Sequence, residues 1–150
     1  MLAFNLNAAT HTVTNGNDDG TGSLRQIVSD ANSGDTIIFA PNVSEIYLVD
    51  DDIIIEKDLT IIGGTGDNKV TIYAGSQRIF YIDVDCKLAI SNLILTEAYH
   101  NNFGGAVWVN YSTFIANNCM FSNNIIDHTC NFSQGCFLFI LVIFVAIYEI

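Results

Sequence analysis

Apolar and polar positions alternate along most of the chain in short runs, broken every few residues by Gly, Asn or Asp. Strands are expected where β-branched and aromatic residues alternate with polar ones between such turn residues. The pattern places them at 10–15 (THTVTN), 36–40 (TIIFA), 45–49 (EIYLV), 52–56 (DIIIE), 58–63 (DLTIIG) and 70–74 (VTIYA). It continues through 78–82 (RIFYI), 87–95 (KLAISNLIL), 106–110 (AVWVN), 112–118 (STFIANN) and 119–124 (CMFSNN). The connections are too short for crossover helices, which argues for an all-β fold. One segment breaks the rule. In SLRQIVSDAN, 23–32, Leu24, Ile27, Val28 and Ala31 fall on one face of a 3.6-residue period. Ser23 stands as its N-cap with Gln26 at the capping-box position, and Gly34 is available for a left-handed stop.

Sliding the chain along itself reveals a repeat. A shift of about 26 residues lays KLAISNLILTE (87–97) on TFIANNCMFSN (113–123), so Leu88 meets Phe114, Ile90 meets Ala116, Asn92 meets Asn118 and Leu95 meets Phe121. Leu59, in DLTIIGG, is an earlier member aligned with Leu88. A period in the twenties predicts a solenoid, because one turn cannot bury its own inner side chains but stacked turns share a core. At about 25 residues per turn the strand-rich part holds about four turns, a stack of about 20 Å. The amphipathic helix is placed to cover its first edge. Asn92 and Asn118 have two readings: amides stacked inside a bend, or exposed turn residues.

Composition sharpens this. The 16 Asn, 11 Gly and 11 Thr beside 21 Ile and 10 Val suit many short strands joined by turns. Sixteen acidic residues against five basic ones give a net charge of -11, which excludes passive electrostatic binding of nucleic acid and disfavours anionic membranes. The first 20 residues lack a basic n-region and an apolar h-region. Cys86, Cys119, Cys130 and Cys136 form no CxxC; inert thiols are the leading expectation, with a disulfide or a metal as alternatives. CFLFILVIFVAIY, 136–148, is shorter than the about 20 residues of a spanning helix. It reads as a buried terminal strand or helix, as an atypical tail from a truncated or frame-altered coding region, or as a membrane anchor.

The stretch VTNGNDDGTGSLRQIVSDANSGDTIIFAPNV, 13–43, resembles the N-terminal cap of bacterial surface proteins with a right-handed parallel β-helix. The matching residues are Val13, Thr14, Asn15, Gly20, Gly22, Ser23, Leu24, Arg25, Ala31, Gly34, Asp35, Thr36, Ile37 and Phe39. Gly104-Gly105-Ala106-Val107 is similar to the GGA(I/V) element of the polymorphic outer membrane protein family, and Phe121-Ser122-Asn123-Asn124 to its companion FxxN element. The resemblance covers about residues 10–126. It implies a pectin-lyase-like, right-handed parallel β-helix with an N-terminal capping helix: a cap at 10–34, β-helix turns at 35–126 and an apolar tail at 127–150. Such proteins run to many more turns, so a short or truncated solenoid is expected. The resemblance also implies a place at the cell outer membrane, the cell surface or outside the cell. A protein or glycan at a cell surface would be the partner, with outer-membrane association through regions of a longer protein.

Chemistry is harder to find. Inverting glycoside hydrolysis needs two carboxyls about 6.5–9.5 Å apart and retaining hydrolysis about 5–5.5 Å. The acids available are Asp50-Asp51-Asp52, Asp83, Asp85 and Glu97, and the only basic residue beside them in sequence is Lys87. Asp50 to Asp52 read as a solvated turn. Asp83 and Asp85 share one face of an extended segment that could take calcium, or bracket Val84 in a turn. His11, His100 and His128 have no ligand spacing, and His100 reads as a loop residue. No catalytic residue and no cofactor is therefore expected, with calcium at Asp83 and Asp85 the one metal candidate. Ser23, Leu24, Ile27, Gly34, Asn92, Gly104, Gly105, Asn118, Phe121 and Asn124 are expected to act structurally. The leading expectation is a noncatalytic cell-surface or secreted stalk or adhesin-like piece. A carbohydrate-active β-helix enzyme fragment (lyase or hydrolase-like) and a non-functional truncated fragment are the alternatives.

Overall fold

Each predicted strand is too short to stand alone, and the chain solves this by pairing every strand with the one a full circuit later. The computed structural model describes residues 8–101 and 104–126. His128, Cys130, Cys136 and the apolar tail lie outside the described residues. The first circuit element is β1 (Thr10–Val13), followed by the helix α1 (Leu24–Asp30). Then come β2 (Thr36–Phe39), β3 (Glu45–Tyr47), β4 (Ile53–Ile55), β5 (Leu59–Ile62), β6 (Val70–Tyr73), β7 (Phe80–Ile82), β8 (Lys87–Ser91) and β9 (Leu93–Thr96). The series ends with β10 (Tyr99–His100), β11 (Val107–Val109), β12 (Thr113–Asn117), β13 (Met120–Ser122) and β14 (Ile125–Ile126).

These strands stack into sheets ordered β1-β2-β5-β8-β12, β13-β9-β6-β3, β11-β7-β4 and β10-β14. Every pairing between them is parallel. The fold is an all-β parallel β-helix of about four turns, with a single short helix among the described residues. The register is the one the repeat predicted: Leu59 opposes Leu88, Leu88 opposes Phe114, Ile90 opposes Ala116 and Leu95 opposes Phe121.

The period-2 pattern divides each strand between inside and outside. Ile37, Ile61 and Ile90 fill one inner column; Ile46, Ile72 and Leu95 fill a second; Ile53, Phe80, Ile55 and Ile82 fill the third, and all are at most 1% exposed. On the last described turn this shielding lapses. Phe121, in register with buried Leu95, is 46% exposed and packs edge-on against Phe114 with ring centroids 6.4 Å apart.

The corners explain the turn residues. Asp85 and Tyr111, Asn92 and Asn118, and Glu97 and Asn123 all have positive φ, and the members of each pair lie 26 residues apart. Three left-handed bends are thus repeated on successive turns, and Asn tolerates that conformation better than other residues with a Cβ. The bend at Asn92 (φ 55) splits the expected single strand 87–95 into β8 and β9. The Asn118 amide donates to the Asn92 side-chain oxygen at 2.7 Å. The two asparagines therefore stack across turns, yet at the rim: Asn92 is half-buried and Asn118 exposed. Gly63 occupies the same corner one turn earlier, where a Cβ would run into the Asn92 carbonyl.

GGA and FxxN elements meet physically. Gly104 has φ 67, and a Cβ on Gly105 would come within 3.5 Å of the Asn124 Cβ on the next turn. Asn124 accepts from the Ala98 amide at 3.1 Å and donates to the Leu95 carbonyl at 2.9 Å, tying its turn to the one before.

At the N-terminal end, α1 packs against β1 and β4, burying Leu24, Val28 and Ala31 while Ile27 is partly buried. Ser23 accepts from the Gln26 amide at 3.2 Å. The reciprocal half of a capping box is absent: Gln26 reaches forward to Asp30 instead, and the Ser23 amide donates to the Gly20 carbonyl. Nor does Gly34 end the helix. Ala31 caps it in extended conformation, and Gly34 (φ 91) turns the chain three residues later. The helix carbonyls are instead gathered by Lys57, whose ammonium donates to Val28, Ser29 and Ala31 at 3.3, 3.0 and 2.8 Å. A cation at a helix C-terminus also meets the negative end of the helix dipole.

Asp35 pins this end of the stack. Its buried carboxylate accepts from the Asn32 and Ala9 amides at 2.8 and 2.7 Å and pairs with His11 Nε2 at 2.7 Å. The Asn32 amide, then His11, then the Ala9 amide hold its pKa down to about 2. Because the folded value lies below the unfolded one, this stabilisation is whole above about pH 4 and is lost as pH falls through about 2. Urea midpoints measured across that window should fall steeply for the natural chain and more gently for Asp35→Asn. Equal slopes would show that Asp35 does not fasten the cap.

Candidate functional site

Outward-facing side chains on successive turns form columns, and two columns carry aromatic rings. On the β4-β7-β11 sheet, Ile54, Tyr81 and Trp108 are in register. Tyr81 meets Trp108 edge-on at 4.9 Å between centroids, and the Arg78 guanidinium sits 4.7 Å above the Trp108 ring. Beneath it, Asp52 receives both the Arg78 amide at 3.0 Å and the Arg78 Nε at 2.6 Å, with the two side chains only 14% and 10% exposed. Arg25 donates to the Asp52 carbonyl at 3.0 Å and pairs with Asp18 at 2.7 Å. Burial alone would raise the Asp18 pKa, but Arg25 and the amides of Asp50 and Val49 together hold it below its ordinary value.

The acidic run 50–52 is therefore not simply a solvated turn. Asp52 is a largely buried ion-pair partner, and the basic residue that sequence adjacency failed to supply comes from one turn later. The same shift of 26 residues that aligns the cores carries position 52 onto 78, so the signal was present in the repeat.

The second column stands on the β3-β6 pair, where Tyr47 and Tyr73 are in register and stack at 4.8 Å with their planes 5° apart. Glu45 accepts from both hydroxyls, at 3.0 Å from Tyr47 and 3.4 Å from Tyr73. That hydrogen bond is the main cause raising the Tyr47 pKa; burial is the main cause at Tyr73, with Glu45 second. Beside Tyr47 lies an open depression of about 440 Å³ between the 14–17 and 42–47 segments.

The expected metal candidates, Asp83 and Asp85, flank Val84 in a tight turn. Asp83 accepts from the Tyr81 hydroxyl at 3.2 Å and from the Val84 amide at 2.8 Å. Asp85, in that turn, has φ 59 and is exposed, so the two do not share one face of an extended segment. Among the described residues, no three His, Cys, Asp or Glu side chains gather where they could hold a metal ion. His100 is not a loop residue either: it lies in β10, opposite Ile126. Burial, then the nearby Arg78 charge, lowers its pKa, with Asp52 opposing. Cys86 and Cys119 are free and half-buried; burial raises both thiols, helped at Cys86 by Asp58, Asp83 and Asp85. Thiols held in the protonated form are poor nucleophiles.

No protein-family model matches the chain, and searches of curated proteins and of solved structures return no match. The class that the fold defines is a parallel β-helix of about four turns. No helix among the described residues is long and apolar enough to cross a membrane.

The Asp52–Arg78 pair gives a direct test. Truncating Asp52 removes the carboxylate that receives both the Arg78 amide and its guanidinium, so Asp52→Ala should cost on the order of 2–3 kcal/mol in urea unfolding. Asp51→Ala, at an exposed neighbour of the same acidic run, should change stability by less than about 0.5 kcal/mol. Similar losses for both would remove the structural role assigned to Asp52.

Proposed function

We propose that this chain is a noncatalytic β-helix segment of a cell-surface or secreted protein, a stalk or adhesin-like piece that makes contact through its elongated outer faces. The right-handed, pectin-lyase-like form and the likeness to polymorphic outer membrane proteins belong to this reading. They rest on the sequence motifs at 13–43, 104–107 and 121–124. A protein or glycan at a cell surface is the partner it calls for, at the outer membrane or outside the cell.

One observation carries the reading: the acids that stand nearest to basic side chains are engaged in holding turns together. Asp52 and Asp18 are tied to Arg78 and Arg25. A general acid or base must reach a substrate proton, and a carboxylate enclosed by its own guanidinium and amides is poorly placed to do so. Meanwhile the outward column Ile54–Tyr81–Trp108 presents apolar and aromatic surface, with Ile54 53% exposed. Aromatic side chains on a rigid frame are the residues that dominate contact energetics.

Two readouts test it on the full chain. Incubation with polygalacturonate should release neither reducing ends nor unsaturated products. Beads carrying the chain should adhere to a glycoprotein-coated surface, and Ile54→Asp, which places a charge in the column, should lower that adhesion several-fold. Polymer cleavage abolished by Asp83→Asn would overturn the reading in favour of a carbohydrate-active enzyme. Adhesion no greater than that of bare beads would remove the contact role.

A further inference from the structure

We infer that the depression beside Tyr47 is a binding subsite for a neutral pyranose residue of a glycan. The inference rests on the reading of the chain as a contact module and gives that module one defined ligand class. Its wall is aromatic. Tyr73 covers one face of the Tyr47 ring; among the described residues β3 is the outermost strand of its sheet, and on its outer edge the Tyr47 amide donates to the Gly16 carbonyl. Tyr47 is 52% exposed and lines the depression.

Gly16 also lines it. The Gly16 carbonyl receives the Tyr47 amide at 3.2 Å, and a Cβ at Gly16 would run into the Glu45 carbonyl, so only glycine fits there. The rim is polar: exposed Asn17, Asn42 and Ser44 contribute amides and a hydroxyl, and Glu45 contributes a carboxylate.

A pyranose is matched to these parts. Its axial C–H bonds make one apolar face that lies on an aromatic ring, and its equatorial hydroxyls reach outward to amides, hydroxyls and carboxylates. The Tyr47 ring is already fixed, stacked on Tyr73 and held through its hydroxyl by Glu45, so little rotamer freedom remains to be lost on binding. The charge selects among sugars. Glu45 stands at the rim of a chain with net charge -11, which repels uronates and other anionic sugars and leaves neutral ones.

The test uses the full chain with maltotriose, cellotriose and N-acetylchitotriose as neutral probes and trigalacturonate as the anionic one. Binding is read by saturation-transfer NMR and calorimetric titration. At least one neutral trisaccharide should bind with millimolar affinity and trigalacturonate more weakly. Tyr47→Ala should weaken that binding at least tenfold, Tyr47→Phe should retain most of it, and Tyr111→Ala, at an exposed aromatic outside the depression, should leave it unchanged. Circular dichroism on each variant checks that the fold is kept. Absence of binding by all neutral probes, preference for trigalacturonate, or equal affinity of Tyr47→Ala would overturn the subsite. If the probes fail while the beads still adhere and Ile54→Asp still weakens them, the subsite falls and the contact role stands. If adhesion fails as well, both fall together.

Discussion

A strand of two to five residues has almost no stability of its own, and every described element except α1 is that short. What makes them persist is parallel pairing with the strand one circuit away, repeated through the stack. The pairing does two jobs at once. It satisfies backbone groups along the axis, and it puts like side chains above like, so that isoleucine and leucine columns exclude water from the interior. Since neither job can be done by a single circuit, the interior and the ladder form together. The distance between partners in sequence, in the twenties, means that most of the stabilising contacts are non-local.

An open-ended stack needs its first turn closed, and α1, the one helix among the described residues, lies there. Leu24 and Val28 press into the interior, Lys57 collects the helix carbonyls, and Asp35 fastens the segment before β1 to the segment after α1. These contacts reach from the helix region into the second circuit, so the cap and the stack hold each other. On the outer surface the same stacking rule sets the chemistry. Any side chain facing outward is repeated at the next turn, which turns single residues into columns: Glu45 with two tyrosines, Asp52 with Arg78, Ile54 with Tyr81 and Trp108.

Much of this was legible in the residues. The alternation of Ile and Val with polar positions marked the strands, and the alignment of Leu88 with Phe114 and of Leu59 with Leu88 fixed which strands meet. What escaped was whatever depends on a bend or on a side chain reaching across turns. Asn92 reads as a bend or turn residue, yet it sits in a run, 87–95, that reads as one strand, and its φ of 55 shows that it divides that run. Gly34 and Gln26 carry ordinary helix-end signals, but Lys57, 26 residues beyond Ala31, is the group that satisfies the helix carbonyls. Tyr47 and Tyr73 are unremarkable as separate residues and become a platform only when the register lays them face to face. Asp52 and Arg78 are separated by one repeat, and a repeat applied only to apolar positions does not pair them.

The claim on which all of this rests is that strands pair with the next circuit and not with their neighbours in sequence. Proton–proton NMR contacts in the isotopically labelled chain measure it most directly. The account predicts backbone contacts joining Ile61 to Ile90 and Ile90 to Ala116, running in the same direction along all three strands. Contacts that instead run in opposite directions between residues 59–62 and 70–73, as in a hairpin, would contradict it.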